Sequence, residues 1–81
     1  MFAVGTILLM QEKSYEKFLE RIAGNIARIR KARGLTQEDM IQHNYSYRHY
    51  QRIESGRNAP NLQTLHRLAQ TFKVDVKEFF R

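Results

Sequence analysis

Residues 34–56 read GLTQEDMIQHNYSYRHYQRIESG, and their punctuation decides the fold. Gly34 supplies the left-handed residue that ends a preceding helix, following Arg30, Lys31 and Arg33, whose charges suit a helix C-terminus. Thr36, Gln37, Glu38 and Asp39 read as a cap with acids in the first turn, where the helix dipole favours anions. Met40 is the inward side chain of the short helix so begun. Asn44 and Tyr45 interrupt it. Ser46 then caps a further helix from Tyr47 to about Ser55, with Tyr50 and Ile53 inward and Tyr47, Arg48, Gln51 and Arg52 on its other sides. Gly56 closes that helix.

Upstream, Phe18, Ile22, Ile26 and Ile29 form one apolar stripe between Ser14, a candidate cap, and Arg33. Gly24 lies inside this stretch, where a glycine weakens a helix or marks a close approach. Downstream, Arg57 to Pro60 form a loop and Asn61 caps a helix whose inward residues read as Leu62, Leu65, Leu68, Ala69 and Phe72. Asp75, with Glu78 three residues later, caps a last short helix that carries Phe79 and Phe80. Five short helices around one small core are predicted, an all-α fold.

The first ten residues, MFAVGTILLM, are apolar and uncharged. As a helix they would reach about 15 Å, half the bilayer core, so they do not span a membrane. They lack the basic start and small-residue cleavage site of a signal peptide. Three readings stand side by side: an extended arm or strand, an extension of the first helix, or residues preceding a start at Met10. Packing against a second copy would cover so apolar a segment.

The chain has 81 residues, enough for one domain, and the predicted organisation is an apolar arm over residues 1–13 followed by a helical domain over residues 14–81. Cysteine is absent, which excludes disulfides, thiolate metal sites and cysteine nucleophiles and points to a cytoplasmic protein. Fourteen basic residues against eight acidic ones give a net charge of +6, which favours polyanionic partners, nucleic acid first. Nine basic and three acidic side chains lie between Arg21 and Arg67, so the whole excess falls there. A membrane-surface helix would set its basic residues beside an open apolar face, and here the apolar stripes are needed for the core. His43, His49 and His66 lack metal-site spacing. No nucleophile–base pair, carboxylate dyad or phosphate loop stands out, so neither catalytic residues nor a cofactor nor a metal is expected, and the chain reads as a non-enzyme. Tyr45 and Tyr50 read as core residues, and His49 as a packed or solvated residue, the alternative being a phosphate contact when protonated.

The stretch from Gly34 to Met40, followed by Ser46 to Gly56, resembles the Cro/phage-repressor (XRE-like) helix-turn-helix family. The tail Asn61 to Ala69, with Val74, Asp75, Val76 and Phe79, is similar to the same family's fourth and fifth helices. The match covers roughly Ile22 to Phe80 and implies a five-helix lambda-repressor-like helix-turn-helix domain over 14–81, with residues 1–13 a candidate dimerisation segment. The turn His43-Asn44-Tyr45 is one residue shorter than the family's common form, with Asn44 suited to a left-handed position.

The resemblance implies a sequence-specific, dimeric transcriptional regulator of double-stranded DNA, of the size of restriction–modification controllers or mobile-element repressors. The helix at 47–55 would then lie in the major groove. Its candidate base contacts are Tyr47, Arg48, Gln51 and Arg52: Arg can fork to guanine O6 and N7, and Gln can pair with adenine N6 and N7. Candidate phosphate contacts are Gln37, beside first-turn N–H groups able to hold an anion, and Arg57 and Asn58 in the following loop. Arg30 and Glu54 match a buried ion pair between the first and third helices of family members. The alternative is an antitoxin-like module that holds a protein partner, a toxin, and binds its operator secondarily.

Overall fold

The computed structural model describes residues 4–81, with side chains described from residue 13 onward. Three α-helices and two 3-10 helices follow one another: α1 (Val4–Ala32), η1 (Glu38–His43), α2 (Tyr47–Glu54), α3 (Leu62–Phe72) and η2 (Val76–Phe80). The fold is all-helical, without a strand among the described residues. None of these helices is long and apolar enough to cross a membrane.

α1 departs from the expected start at Ser14. It runs unbroken for 29 residues from Val4, so Ser14 is an internal exposed residue rather than a cap. From Val4 the backbone therefore extends the first helix, while the side chains of Met1 to Met10 lie outside the described residues. Gly24 interrupts nothing: it is exposed, and a Cβ there would meet no atom within 4 Å.

The second and fifth helices are short 3-10 helices rather than α-helices. Each is six residues or fewer, and the tighter 3-10 winding is favoured in such short pieces. At the start of η1 the Thr36 and Asp39 bonds are reciprocal. Asp39 Oδ2 accepts from the Thr36 N–H at 2.7 Å, and Thr36 Oγ1 accepts from the Asp39 N–H at 3.1 Å. Those bonds hold the Asp39 carboxyl below the usual aspartate range. Ser46 caps α2 by accepting from His49 N, Asn61 caps α3 through Thr64 N, and Asp75 caps η2 through Lys77 N.

Four of the helices end in one way. Gly34, Asn44, Gly56 and Lys73 each take a left-handed backbone, with φ of 72°, 67°, 76° and 56°. After each, the next N–H reaches back across the last turn, as Leu35 N does to Arg30 O at 3.2 Å and Val74 N to Ala69 O at 3.0 Å. Lys73 takes this conformation without the glycine or asparagine that marks the other three.

The core is built from Ile22, Ile26 and Ile29 of α1, Met40, Tyr45, Tyr50, Ile53, Leu65, Leu68, Ala69, Phe72 and Phe79. Phe72 and Phe79 meet edge to face at 6.4 Å, which ties η2 to α3. Two residues of the predicted stripes lie elsewhere. Leu62 is 83% exposed because it sits in the first position after its cap, beyond the edge of the packed face. Phe18 is 37% exposed, where α1 leaves the body of the domain, and it stacks on the partly exposed Phe80 at 6.2 Å.

One polar contact crosses this core. Arg30 of α1 meets Glu54 of α2 through two parallel bonds, Nε to Oε2 at 2.6 Å and Nη2 to Oε1 at 3.0 Å. Their side chains are 7% and 5% exposed. Arg30 Nη1 also donates to the Leu35 carbonyl at 2.7 Å, so one guanidinium fixes the end of α1, the loop after it and the end of α2. Burial pushes the Glu54 carboxyl up, but the bonds from Arg30 and Gln37 and the Arg30 charge outweigh it, and the net shift is downward. Among the described residues the buried Tyr50 hydroxyl has no hydrogen-bond partner, and its burial, reinforced by the Glu54 carboxylate, raises its pKa.

Glu54→Ala strands the buried guanidinium and should cost about 3–5 kcal/mol in denaturant unfolding, against less than about 0.5 kcal/mol for the exposed Glu16→Ala. Because the folded carboxyl titrates below its unfolded value, this contribution is present above the ordinary glutamate range and fades as the pH falls. The acid limb of the stability curve should therefore be shallower in Glu54→Ala than in the wild type. Gly24→Ala, in open space on a regular helix, should raise stability by about 0.5–1 kcal/mol, read as a higher denaturant midpoint at unchanged m-value.

Candidate nucleic-acid interface

α2 is amphipathic in the simplest sense. Tyr50 and Ile53 are buried at 0% and 1% exposure, which leaves Arg48, His49, Gln51 and Arg52 in solvent. A groove runs along this outer side, lined by Gln37, Arg48, Gln51, Arg52, Glu54, Ser55 and Arg57. It therefore gathers Arg48, Gln51 and Arg52 from α2, Gln37 from the start of η1 and Arg57 from the loop beyond α2. Tyr47 and Asn58 are outside its lining.

Tyr47 is half-buried, and its hydroxyl donates to Glu38 Oε1 of η1 at 3.3 Å. That contact draws the ring towards η1. Partial desolvation and the Glu38 charge raise the pKa of its phenol. Asn58 is half-buried, and its N–H donates to the Arg52 carbonyl at 3.3 Å, as that of Arg57 does at 3.1 Å. The loop is thus folded back onto the end of α2, and the Arg57 side chain is left exposed.

Gln37 links the groove to the ion pair behind it. Its Nε2 donates to Glu54 Oε1 at 3.1 Å, and its Oε1 accepts from Gln51 Nε2 at 3.5 Å. A continuous polar chain therefore runs from Arg30 through Glu54 and Gln37 to Gln51. At the start of η1 the Asp39 N–H binds Thr36 Oγ1 and the Met40 N–H binds the Gln37 carbonyl at 3.1 Å. The Gln37 side chain is a polar group that this end of η1 brings to the groove lining.

The charges of the groove are unequally spent. The Glu54 carboxylate is neutralised by Arg30, while Arg48, Arg52 and Arg57 form no ion pair among the described residues. The groove thus presents three free guanidinium groups and the Gln51 amide from one rigid helix and its flanking loop. Such an array can donate to phosphate oxygens and to base edges. Among the described residues no group of three or more His, Asp or Glu side chains could hold a metal ion.

Sequence patterns read Glu38 only as a first-turn acid and not as the acceptor of the Tyr47 hydroxyl, and they do not single out Arg67 of α3. The Arg67 guanidinium lies over the Tyr45 ring at 4.6 Å and donates to the Asn44 carbonyl at 3.2 Å. The only sequence signal was an arginine on the polar side of α3 with no acid one turn away.

The helix-turn-helix family profile matches residues 26–79, which hold η1, α2, α3 and most of η2. A relative from Sinorhizobium fredii, described as an uncharacterized HTH-type transcriptional regulator, y4dJ, is 37% identical over 58 residues, or 70% of this chain and 75% of the relative. No solved structure matches the chain. On the strength of the profile and this relative, joined to the capped η1–turn–α2 unit and the buried Arg30–Glu54 contact behind it, the chain belongs to the XRE-type helix-turn-helix family of DNA-binding transcriptional regulators.

Proposed function

We propose that this protein is a transcriptional regulator that binds specific double-stranded DNA sites as a homodimer, with α2 in the major groove. The observation that carries this reading is the groove that lines up Gln37, Arg48, Gln51, Arg52 and Arg57 along the exposed side of α2. Arg48 and Gln51 lie on the first two turns of α2, the part of a recognition helix that faces base edges. Their chemistry suits guanine and adenine respectively. Arg52 stands one turn beyond Arg48 and completes the base-facing set. Gln37 and Arg57 flank α2 on either side, where the phosphate backbones run. Tyr47, with its hydroxyl held by Glu38, offers its ring edge to a thymine methyl, and Asn58 offers its amide to phosphate.

Dimerisation would use the other end of the molecule. Among the described side chains, α1 contributes Ile22, Ala23, Ile26 and Ile29 to the core, all towards its C-terminal end. Its preceding turns carry Tyr15 and Phe18, 52% and 37% exposed, next to Phe80 at 40%. A second copy laid along this face would cover those rings and give residues 1–13 a role in the contact. Such a dimer presents two copies of α2 to two half-sites about one helical turn of DNA apart. With DNA bound, the protein regulates through occupancy of its sites.

Selection of binding sites from random duplexes, followed by titration, tests the first part. Arg48→Ala should cost about 1–3 kcal/mol on the selected site and relax the preference at one base pair, with little change on random DNA. Equal losses on both would make Arg48 a phosphate contact. Affinity should also fall with salt at a log–log slope of about −0.9 for each phosphate neutralised, and a flat response would overturn the DNA reading.

The second part is tested by light scattering on the intact chain. Phe18→Glu, and separately removal of residues 1–9, should shift the protein from dimer to monomer while circular dichroism keeps its helical signature. A dimer of unchanged strength in both variants would place the interface elsewhere.

A further inference from the structure

The turn between η1 and α2 is fastened from outside the two helices it joins. Asn44 holds a left-handed backbone at φ 67° and ψ 32°, a conformation that asparagine tolerates better than most residues bearing a Cβ. Its carbonyl accepts from Arg67 Nη2 of α3 at 3.2 Å. The same guanidinium covers the Tyr45 ring, with its central carbon 4.6 Å from the ring centroid. One turn further along α3, the Thr71 hydroxyl donates to the Arg67 carbonyl at 2.9 Å. Its only proton is used there, so at 3.1 Å it accepts from the Tyr45 hydroxyl. Tyr45 is 6% exposed and packs at 5.9 Å against Tyr50, the first buried residue of α2.

These contacts form a short mechanical chain from α3 through Arg67 and Tyr45 to α2. Two of the three residues that join the two helices, Asn44 and Tyr45, are gripped by one side chain. The grip falls at the left-handed residue of the turn, where the backbone changes direction between the two helices. Arg67 is exposed and forms no ion pair among the described residues, so its planar group is committed to the turn rather than to an acid. A planar, multi-donor cation can stack on the ring and donate to the carbonyl at once.

We propose that Arg67 is a positioning residue for base reading: by clamping Asn44 and Tyr45 it sets the angle at which α2 presents Arg48 and Gln51, without touching DNA itself. This inference rests on the DNA-binding function proposed above. It assigns a share of sequence selectivity to α3, none of whose residues lines the groove. It also separates Arg67 from the basic residues of the groove, whose role is direct contact.

Arg67→Ala and Arg67→Lys are to be titrated on the selected duplex and on random duplex, well below their melting temperatures. Arg67→Ala should weaken selective binding roughly tenfold, the scale of one lost base contact, while its affinity for random DNA and its salt slope stay at wild-type values. Arg67→Lys keeps the charge but not the stacked fork, and should resemble Arg67→Ala. A loss of equal size on random DNA, with a salt slope reduced by about 0.9 and rescue by lysine, would make Arg67 a phosphate contact and overturn the inference. Unchanged selectivity would overturn it as well, whatever the change in melting temperature.

Residual dipolar couplings supply a measurement independent of DNA. In Arg67→Ala the orientation of α2 relative to α3 should change, and an orientation identical to the wild type would overturn the clamp. A wild-type chain without sequence selectivity would overturn the DNA reading and this inference with it. A selective wild type matched by Arg67→Ala would overturn the inference alone.

Discussion

The buried pair between Arg30 and Glu54 is the constraint on which the rest of the structure hangs. An arginine and a glutamate, both almost wholly withdrawn from solvent, are tolerable only because each charge meets the other through a two-point contact. The third direction of the guanidinium is spent on the Leu35 carbonyl, and a spare lone pair of the carboxylate on Gln37. An apolar pair could fill this space, but it would not specify the angle between α1 and α2. The directional bonds do, and they extend that specification to Gln37 and on to Gln51. The same contact that organises the interior therefore reaches the floor of the groove.

Small size sharpens the demands on local structure. With a core of about a dozen side chains, the helices are short and their ends account for much of the chain. Almost every end is closed by a named device: the reciprocal Thr36–Asp39 bonds, the caps at Ser46, Asn61 and Asp75, and the left-handed residues that follow four of the helices. Closing these ends satisfies backbone groups that a thin core could not shield. It also fixes where α2 begins, and with it which residues lie on its outer side.

Much of this was legible in the chain because it is local. Capping oxygens precede helices by one residue, Gly34 and Gly56 follow them, and the spacing of Tyr50 and Ile53 sets the buried side of α2. The pairing of Arg30 with Glu54 spans 24 residues and was suggested by family resemblance rather than by spacing, which carries no such information. α1 begins at Val4 rather than at Ser14, a competent cap that the helix does not need because the turns before it are already helical. Leu62 was assigned inward because periodicity counts residues and not the position of the domain's edge. Lys73 ends α3 in a conformation that nothing in its chemistry announces, and it is held there by the return of Val74 to Ala69.

By itself the sequence determined an all-helical, basic, cysteine-free domain, the order of its elements and the residues on the exposed side of α2. These follow from hydrophobic period, turn chemistry and charge, all read within a few neighbours. Only the tertiary structure decided that Gln37 would join Glu54 to Gln51, that Tyr47 would turn towards Glu38, and that Arg67 would seize the turn at Asn44 and Tyr45. Those contacts join residues far apart in the chain, and their existence depends on angles between helices that side-chain packing fixes after each helix has formed.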